Sequence, residues 1–345
     1  MGDKVRVREL DPESQELVIS LFKGNPEGAA RFGEGGYIMP SVYRKNVDDL
    51  KNMPVRPDDT WVVTYPRSGT TWTQDLVWLL MNNFDFETAL KIPLMGRYFF
   101  IEITSLAPMD KLGPDQLDPV MLQEFAKLAP SFQAIVDAPS PRFIKSHLPL
   151  SLLPDNLLDT AKVVYVARDP RDVAVSFYHH SRLFKTSNYV GDFKSFWDLF
   201  VKDLVTYTPF FPHLKEAWAQ RHHPNMLFIF YEDLKKDLPG HIKRIAEFLG
   251  KEVTSEQTQK LCEHLDIKNF RNNESVNPTW LNATGNAGEE GFIRQGKTGG
   301  WYDYFDEAMA AQAQAWIRVN LAGTDLRFPN ASSKVATLVS KYNKG

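Results

Sequence analysis

Four short apolar runs divide the central part of the chain. They are WVVTY (61–65), RFIKS (142–146), KVVYVA (162–167) and MLFIFY (226–231). Short runs with little polar alternation are typical of strands that are buried on both faces of a parallel sheet. The pattern therefore predicts a central parallel sheet, with longer connections between its strands.

Helical patterns lie between these runs. After the first run, apolar residues recur with helical spacing at Trp72, Leu76, Leu79 and Leu80. Thr70 and Thr71 precede them and are predicted to cap this helix. A second helix is predicted to begin near Pro170, and a third to end at Gly250. This alternation predicts a single doubly wound α/β domain, with helices flanking the sheet.

The N-terminal part has a different composition. Residues 1–58 are rich in proline, glycine and charge, and the stretch GNPEGAARFGEGGYIMP (24–40) predicts a loop. We therefore expect residues 1–58 to be an N-terminal extension packed on or near a domain that spans residues 59–345.

Composition limits the classes of function. The formal net charge is −3, which argues against non-specific nucleic-acid binding, and the apolar run 76–81 is too short to cross a bilayer. Cys262 is the only cysteine in the sequence, so an intramolecular disulfide and a thiolate metal cluster are both excluded. We expect a cytoplasmic protein without nucleic-acid or membrane partners.

The loop after the first run has the composition of a phosphate site. In PRSGTT (66–71), Gly69 allows a close approach of the backbone to an anion at the start of a helix. Arg67 adds a bidentate donor. The loop lacks the second glycine and the terminal lysine of the standard nucleotide-binding P-loop. The alternative is a capped turn with a surface arginine.

Two further loops could bind anions. Arg168 ends the third apolar run, at the sheet edge where ligands of open α/β proteins bind, while Arg171 and Asp172 could be a solvated ion pair. In EEGFIRQGKTGGWYDYF (289–305), Arg294 and Lys297 alternate with glycines, whose N–H groups can surround a phosphate. The alternative for this stretch is a surface loop.

The stretch RFIKSHLP could carry proton transfer. His147 can accept a proton near neutral pH, and Lys145 can offset developing negative charge. Taken alone, this histidine could equally be structural. The pairs His179/His180 and His222/His223 are adjacent rather than four residues apart, so they predict no metal site.

Together these stretches resemble one family. TYPRSGTTW, KSHLP, YVARDPRDVAVSFYH, FYEDL and FIRQGKTGGW occur in this order between Trp61 and Trp301, and they resemble the cytosolic sulfotransferases, with an order similar to insect members. The resemblance implies one α/β domain with a P-loop-like phosphosulfate site. It also implies 3′-phosphoadenylyl sulfate (PAPS) as donor, no metal, and a small hydroxyl or amine compound as acceptor.

The resemblance also assigns residues to the donor. The 5′-phosphosulfate would be bound by Arg67, Ser68, Gly69, Thr70 and Thr71. The 3′-phosphate would be bound by Arg168, Ser176, Arg294, Gln295 and Gly296. The adenine and its surroundings would be contacted by Trp72, Tyr231, Ile267, Phe292 and Ile293.

By the same resemblance, His147 is the general base that removes the acceptor's proton. Lys145 and Arg67 meet the charge that grows on the leaving phosphate, since sulfuryl transfer depends on positioning and charge stabilisation. Arg67 and Gln295 stand where relatives usually carry lysine. The usual dimer motif after Gly296 is missing, so monomer and homodimer both remain open.

The acceptor side is expected to include Phe99, Phe100, Phe177 and His180. Flat rings there suit a phenol, a sterol-type alcohol or a retinoid-type alcohol. Three alternatives remain: a dehydratase that acts through a transient sulfate ester, a non-catalytic binder of hydrophobic molecules, and an ATP-dependent small-molecule kinase. The kinase would use Glu232 or Asp233 to bind its metal.

Overall fold

The apolar runs form four strands of a five-stranded parallel sheet with the order β5-β6-β4-β7-β8. The computed structural model describes residues 4–106, 130–279 and 291–329. Its strands are β1 (Val7–Glu9), β2 (Ala29–Phe32), β3 (Tyr37–Pro40), β4 (Thr60–Thr64), β5 (Phe99–Phe100), β6 (Phe143–Ser146), β7 (Lys162–Ala167) and β8 (Met226–Phe230). The prediction of a central parallel sheet is therefore confirmed.

Helices cover the sheet and connect its strands. The α-helices are Pro12–Leu21, Val47–Lys51, Thr70–Met81, Phe86–Lys91, Leu94–Arg97, Phe132–Asp137, Leu157–Thr160, Pro170–Leu183, Phe193–Val201, Phe210–Ala219, Tyr231–Lys236, Leu238–Leu249, Ser255–His264, Ile267–Asn272 and Glu307–Leu321. Short 3-10 helices span Ser41–Lys45, Ile103–Ser105, Leu150–Leu152 and Gly300–Asp303. Across the described ranges, no helix is both long enough and apolar enough to cross a membrane.

Both faces of the sheet are buried, as the apolar runs predict. In β4, Trp61 and Val63 belong to the apolar core on one face, whereas Val62 belongs to the core on the other. In β7, Val163 and Val164 divide between the two cores in the same way. Because successive side chains of a strand point to opposite faces, a doubly buried strand must be apolar at every position.

The prediction that residues 24–40 form a loop is wrong. Strands β1, β2 and β3 form a three-stranded antiparallel sheet, in which Arg31 pairs with Ile38. The glycines that suggested a loop belong to the tight turn between β2 and β3, where Gly33 and Gly36 have positive φ. Ile38 also exchanges backbone hydrogen bonds with the segment at Tyr207 and Thr208. The domain boundary at residue 58 stays a prediction.

The helix after β4 begins without a threonine cap. Its N-cap is Gly69, with φ 100°, and no side chain caps the helix, so the predicted role of Thr70 and Thr71 is wrong. Only glycine adopts this backbone conformation readily. The other two predicted helix boundaries are confirmed: Pro170 begins a helix capped by Asp169, and Gly250 ends one with φ 71°.

A buried ion pair fixes the entry to the sheet. Arg142 precedes β6 and Asp59 precedes β4, and the Arg142 guanidinium donates to both carboxylate oxygens of Asp59 at 2.8 and 2.6 Å. Both side chains are fully buried. The same guanidinium also donates to the Pro54 carbonyl, so the pair joins three segments of backbone.

We expect Asp59→Ala to lower the free energy of unfolding by about 3–5 kcal/mol, because it leaves the buried Arg142 charge without a partner. Urea denaturation followed by circular dichroism measures this loss. Asp58→Ala is the matched control, because Asp58 is adjacent and exposed. An equal effect of both substitutions would contradict a specific role for the pair.

Candidate active site

The predicted site residues meet at the carboxyl ends of four neighbouring strands. The loop at Arg67 follows β4, His147 follows β6, Arg168 follows β7, and Tyr231 follows β8. They surround a cleft with two lobes, which we call the donor lobe and the acceptor lobe, of about 400 and 230 Å³. Phe100, Lys145, Phe177, His180 and Tyr207 are among the residues that line both lobes.

The donor lobe collects nearly all residues that the sequence predicts to bind the donor. They are Arg67, Gly69, Thr70, Thr71, Trp72, Arg168, Ser176, Tyr231, Ile267, Phe292, Ile293, Arg294, Gln295 and Gly296. His147 and Lys145 line the same lobe. Ser68 does not line it, because its side chain is fully buried.

Arg67 joins its own loop to the helix at 170–183 and to the glycine-rich loop. Its Nε donates to Ser176 Oγ at 3.1 Å, and its Nη2 donates to the Phe292 carbonyl at 2.9 Å. Burial and the neighbouring charges of Arg168 and Arg294 lower the pKa of the Arg67 guanidinium. Arginine nevertheless stays protonated in proteins, so this side chain is a fixed positive charge. The alternative of a free surface arginine is therefore wrong.

The Arg168 side chain is more deeply buried than that of Arg67. Its guanidinium donates to the carbonyls of Arg67 at 2.9 Å and Lys297 at 2.8 Å, and it lies over the Tyr231 ring at 4.5 Å. Its Nε is buried and has no hydrogen-bond partner among the described residues, and the same holds for Ser68 Oγ. Unpaired buried donors beside a cationic cleft suit an anionic ligand with several acceptor oxygens.

Asp172 anchors the glycine-rich loop. Its carboxylate accepts hydrogen bonds from the N–H groups of Gly299 at 2.7 Å and Trp301 at 3.0 Å. Arg171 instead pairs with Asp169 and lies over the Trp301 ring. The reading of Arg171 and Asp172 as a solvated pair is therefore wrong. Within the described residues 291–305 of that loop, contacts with the helix at 170–183 hold the backbone in place; residues 289 and 290 lie outside them.

The hydrogen bonds of His147 define its tautomer. The ring is buried, and Nδ1 lies 2.9 Å from the Thr64 carbonyl, which can only accept, so Nδ1 carries the proton. Nε2 is therefore the unprotonated nitrogen, and it makes no hydrogen bond with the described residues. Burial and the charge of Lys145 lower the pKa of His147 well below its ordinary value. The imidazole is neutral and able to accept a proton at neutral pH.

Lys145 lies beside this base. Its Nζ is 3.9 Å from the centre of the Phe100 ring, which forms a cation–π contact. Burial lowers the pKa of Lys145, the carboxylate of Glu102 raises it, and the charge of Arg67 lowers it. The side chain thus supplies a positive charge from a partly apolar position.

The acceptor lobe is mainly apolar. Phe100, Phe177 and His180 line it, as the sequence predicts. Phe99 does not, because neighbouring residues of a strand point to opposite faces and Phe99 packs against the core. The His180 ring lies 4.8 Å from Phe184 and 5.9 Å from Phe177, measured between ring centres. Burial and the charges of Arg67 and Lys145 lower the pKa of His180, which keeps it neutral.

Sequence reasoning missed four side chains around the site. Glu102, Tyr207 and His213 surround His147 or its backbone, and Lys235 bonds the Gly296 carbonyl in the donor lobe. Glu102 lies two residues beyond Phe100, and Lys235 lies one turn beyond Tyr231. Tyr207 and His213 give no local signal, because their contacts with His147 connect distant parts of the chain.

The two acids that a kinase would use to bind its metal lie outside the lining of the donor lobe. Glu232 accepts a hydrogen bond from the Asp169 N–H at 2.9 Å, and neither Glu232 nor Asp233 lines the donor lobe. Within residues 4–106, 130–279 and 291–329, no group of three potential metal ligands occurs. The two acids therefore give no support to the kinase alternative.

Comparison with known proteins decides the family. The model of the sulfotransferase domain matches residues 57–325, most of the chain. The chain belongs to the sulfotransferase family. Bovine sulfotransferase 1A1 is 33% identical over 90% of this chain and 99% of its own length. Luciferin sulfotransferase of the firefly Photinus pyralis is 30% identical over 94% of this chain and 85% of its own.

Solved structures extend this comparison. A crystal structure of retinol dehydratase with androsterone and the inactive cofactor PAP is 46% identical, with a TM-score of 0.88 over 96% of this chain and 100% of that one. A structure of retinol dehydratase with retinol and PAP gives the same identity and TM-score. This sulfotransferase therefore uses PAPS as its sulfuryl donor, and its parallel sheet is that of the family.

We expect Gly69→Ala to weaken binding of adenosine 3′,5′-bisphosphate (PAP) by roughly 10- to 100-fold, the scale of a ~1 Å displacement of binding groups. A Cβ at this position would lie 2.6 Å from Cδ2 of Tyr231, so the ring or the loop must move. Isothermal titration calorimetry measures the change.

Gly250→Ala is the matched control for this substitution. Gly250 also has positive φ, 71°, but a Cβ there meets nothing within 4 Å, and the residue is not part of the donor lobe. The control should lose stability through backbone strain and keep its affinity for PAP. Equal losses of affinity in both variants would show that general strain, not contact with Tyr231, causes the effect.

Proposed function

We propose that this sulfotransferase acts on the hydroxyl of a largely apolar alcohol of the sterol or retinoid class, with His147 as general base. The observation that carries this proposal is the position of His147. His147 lines the donor lobe, and its ring packs edge to face against Phe100 and Tyr207, which also line the apolar acceptor lobe. An acceptor in the second lobe can thus present its oxygen to the base and to the donor at once.

The donor lobe offers separate groups for the two ends of PAPS. The N–H groups at the start of the helix Thr70–Met81, left without a side-chain cap, suit the 5′-phosphosulfate. Arg168, Ser176 and Arg294 suit the 3′-phosphate. Trp72 and Tyr231, whose rings meet edge to face at 5.9 Å, suit the adenine. Bound PAPS supplies the sulfuryl group.

Around the reacting atoms, each side chain has one task. His147 Nε2 accepts the proton of the acceptor hydroxyl as its oxygen attacks sulfur. Lys145 and Arg67 offset the negative charge that grows on the leaving phosphate oxygen. Arg67 works as a fixed charge rather than an acid, because a guanidinium does not give up its proton at neutral pH.

The lining of the acceptor lobe supports a hydrophobic acceptor. Its lining includes Phe22 and Ile38 from the N-terminal segment together with Phe100 and Phe177. The related retinol dehydratase was solved with androsterone and with retinol, a sterol and a polyene alcohol. His180 adds a neutral polar group at the boundary of the two lobes. The cations lie in the donor lobe and the net charge is −3, which supports a small-molecule acceptor rather than nucleic acid.

A dehydratase is the second candidate, and the 46% identity to retinol dehydratase over nearly the whole chain favours it. Such a reaction begins with the same sulfate ester. The carbon–oxygen bond of the ester then breaks, sulfate leaves with the electron pair, and a proton is lost from a conjugated carbon to form a double bond. The first step uses the same base, and only the fate of the ester differs.

Product mass spectrometry distinguishes the two candidates. With PAPS and retinol or androsterone, a sulfotransferase product gains the mass of a sulfuryl group, whereas a dehydratase product loses water. We expect product with at least one of these alcohols. If neither alcohol reacts while PAP still binds, the proposed acceptor class is wrong.

We expect His147→Ala to lower kcat by about 10²–10⁴-fold, the usual contribution of a positioned base. The affinity for PAP should change little, because Arg168, Ser176 and Arg294 remain. Steady-state kinetics and calorimetry measure the two quantities. His222→Ala is the control, since His222 is exposed and lines neither lobe. A kcat near that of the native chain would remove His147 as the base.

A further inference from the structure

Glu102 is a buried acid next to the proposed base. Its side chain is fully buried, at the end of the short edge segment that follows β5. Oε1 accepts a hydrogen bond from the His147 backbone N–H at 2.6 Å, and Oε2 accepts one from Ser146 Oγ at 3.0 Å. The Tyr207 hydroxyl makes a longer contact with Oε1, at 3.4 Å.

The partners of Glu102 favour its anionic form. The backbone N–H can only donate, and Ser146 Oγ already accepts from the Leu148 N–H, so its own proton is directed at Glu102. Burial and the charge of Glu102 raise the pKa of Tyr207, which therefore keeps its proton. Protonation would place a proton on a carboxylate oxygen that already accepts a hydrogen bond, so these donors favour the carboxylate. Burial raises the pKa of Glu102, and the two shorter hydrogen bonds and Lys145 oppose this.

The peptide groups on both sides of His147 are fixed by ionisable side chains. Glu102 binds its N–H, and His213 Nε2 donates to its carbonyl at 2.9 Å. The other nitrogen of His213 lies 2.8 Å from the Tyr165 hydroxyl, which completes a buried chain. Because Nδ1 of His147 also donates to the Thr64 carbonyl, the ring has little freedom to turn away from the lobe.

Glu102 also lies beside Lys145: it accepts hydrogen bonds from Ser146 and His147, the two residues after Lys145, and the N–H of its neighbour Ile101 donates to the Lys145 carbonyl at 3.3 Å. The charged or titratable groups that interact electrostatically with Lys145 include Glu102, Arg67, His147 and His180. Arg67 is positive and both histidines are neutral, so Glu102 is the one anion of this set. An ammonium group in a partly apolar position loses its charge unless a nearby anion supports it.

We propose that Glu102 is a positioning residue that orients His147 through its backbone and keeps Lys145 protonated. The inference rests on the proposed roles of His147 and Lys145. One carboxylate would then meet two requirements. His147 must be neutral to act as a base, and Lys145, two residues earlier, must stay charged.

The test is Glu102→Gln, which keeps the shape and removes the charge. We expect kcat/KM for PAPS to fall by about tenfold or more, because an amide must now face buried donors. We also expect its pH profile to change. Activity that needs charged Lys145 is lost as pH rises through the pKa of that lysine, so losing Glu102 should move this basic limb about one unit to lower pH.

Glu216→Gln is a matched control. Glu216 also accepts from a backbone N–H, a serine hydroxyl and a tyrosine hydroxyl, here those of Ser151 and Tyr37, but it lines neither lobe. It should leave the basic limb in place. A Glu102→Gln variant with the native pH profile, or with a profile that Glu216→Gln reproduces, overturns the proposal.

A double-mutant cycle with Lys145→Met gives a second measurement. If Glu102 acts partly through Lys145, Glu102→Gln costs less in the Lys145→Met background, whereas full additivity contradicts the proposal. Should Glu102→Gln fail to fold, Glu102→Asp keeps the anion; it should show lower kcat with the native basic limb, and a displaced limb overturns the proposal. The proposed function fails separately, when the native chain converts no alcohol.

Discussion

Repulsion between like charges is the constraint on which this site depends. Arg67, Arg168, Arg294 and Lys145 converge on one cleft in a chain whose net charge is −3. Burial and mutual repulsion work against this cluster, and backbone carbonyls rather than carboxylates hold two of its arginines in place. Carbonyl dipoles orient a guanidinium without neutralising it. The cluster therefore keeps its charge, as the proposed binding of a donor with two phosphate groups requires, and the sheet holds the segments that carry it.

The sequence was informative where a functional residue follows directly from a strand. His147 and Arg168 could be predicted because each directly follows an apolar run, and the carboxyl ends of parallel strands meet at one edge. The sequence failed where contacts connect distant segments. Asp172 resembles a solvated acid until Gly299 and Trp301, more than a hundred residues later, donate to it. The sequence predicts a loop in place of strands β2 and β3, because the glycines of the turn between them dominate the local composition.

Arginine at position 67 has a geometric consequence. Its planar group donates to Ser176 and to the Phe292 carbonyl at the same time, so it ties the first loop to the helix at 170–183 and to the glycine-rich loop. A lysine has a single nitrogen on a flexible stem and cannot copy this fork. Gln295 still lines the donor lobe, and Lys235 and Lys297 line it as well. The positive charge that glutamine does not supply is thus available from neighbouring side chains.

The pairing of His147 with Lys145 would allow one short segment to serve the proposed proton transfer and the proposed charge stabilisation together. Both side chains are disfavoured as cations by burial, and the charge of Lys145 further lowers the pKa of His147. A site with two cations would have no base, and a site with two neutral groups would have no charge for the leaving phosphate. Glu102 affects the two basic groups differently, because it accepts a hydrogen bond from the His147 backbone while its negative charge raises the pKa of Lys145. Environment, not residue type alone, then assigns the two roles.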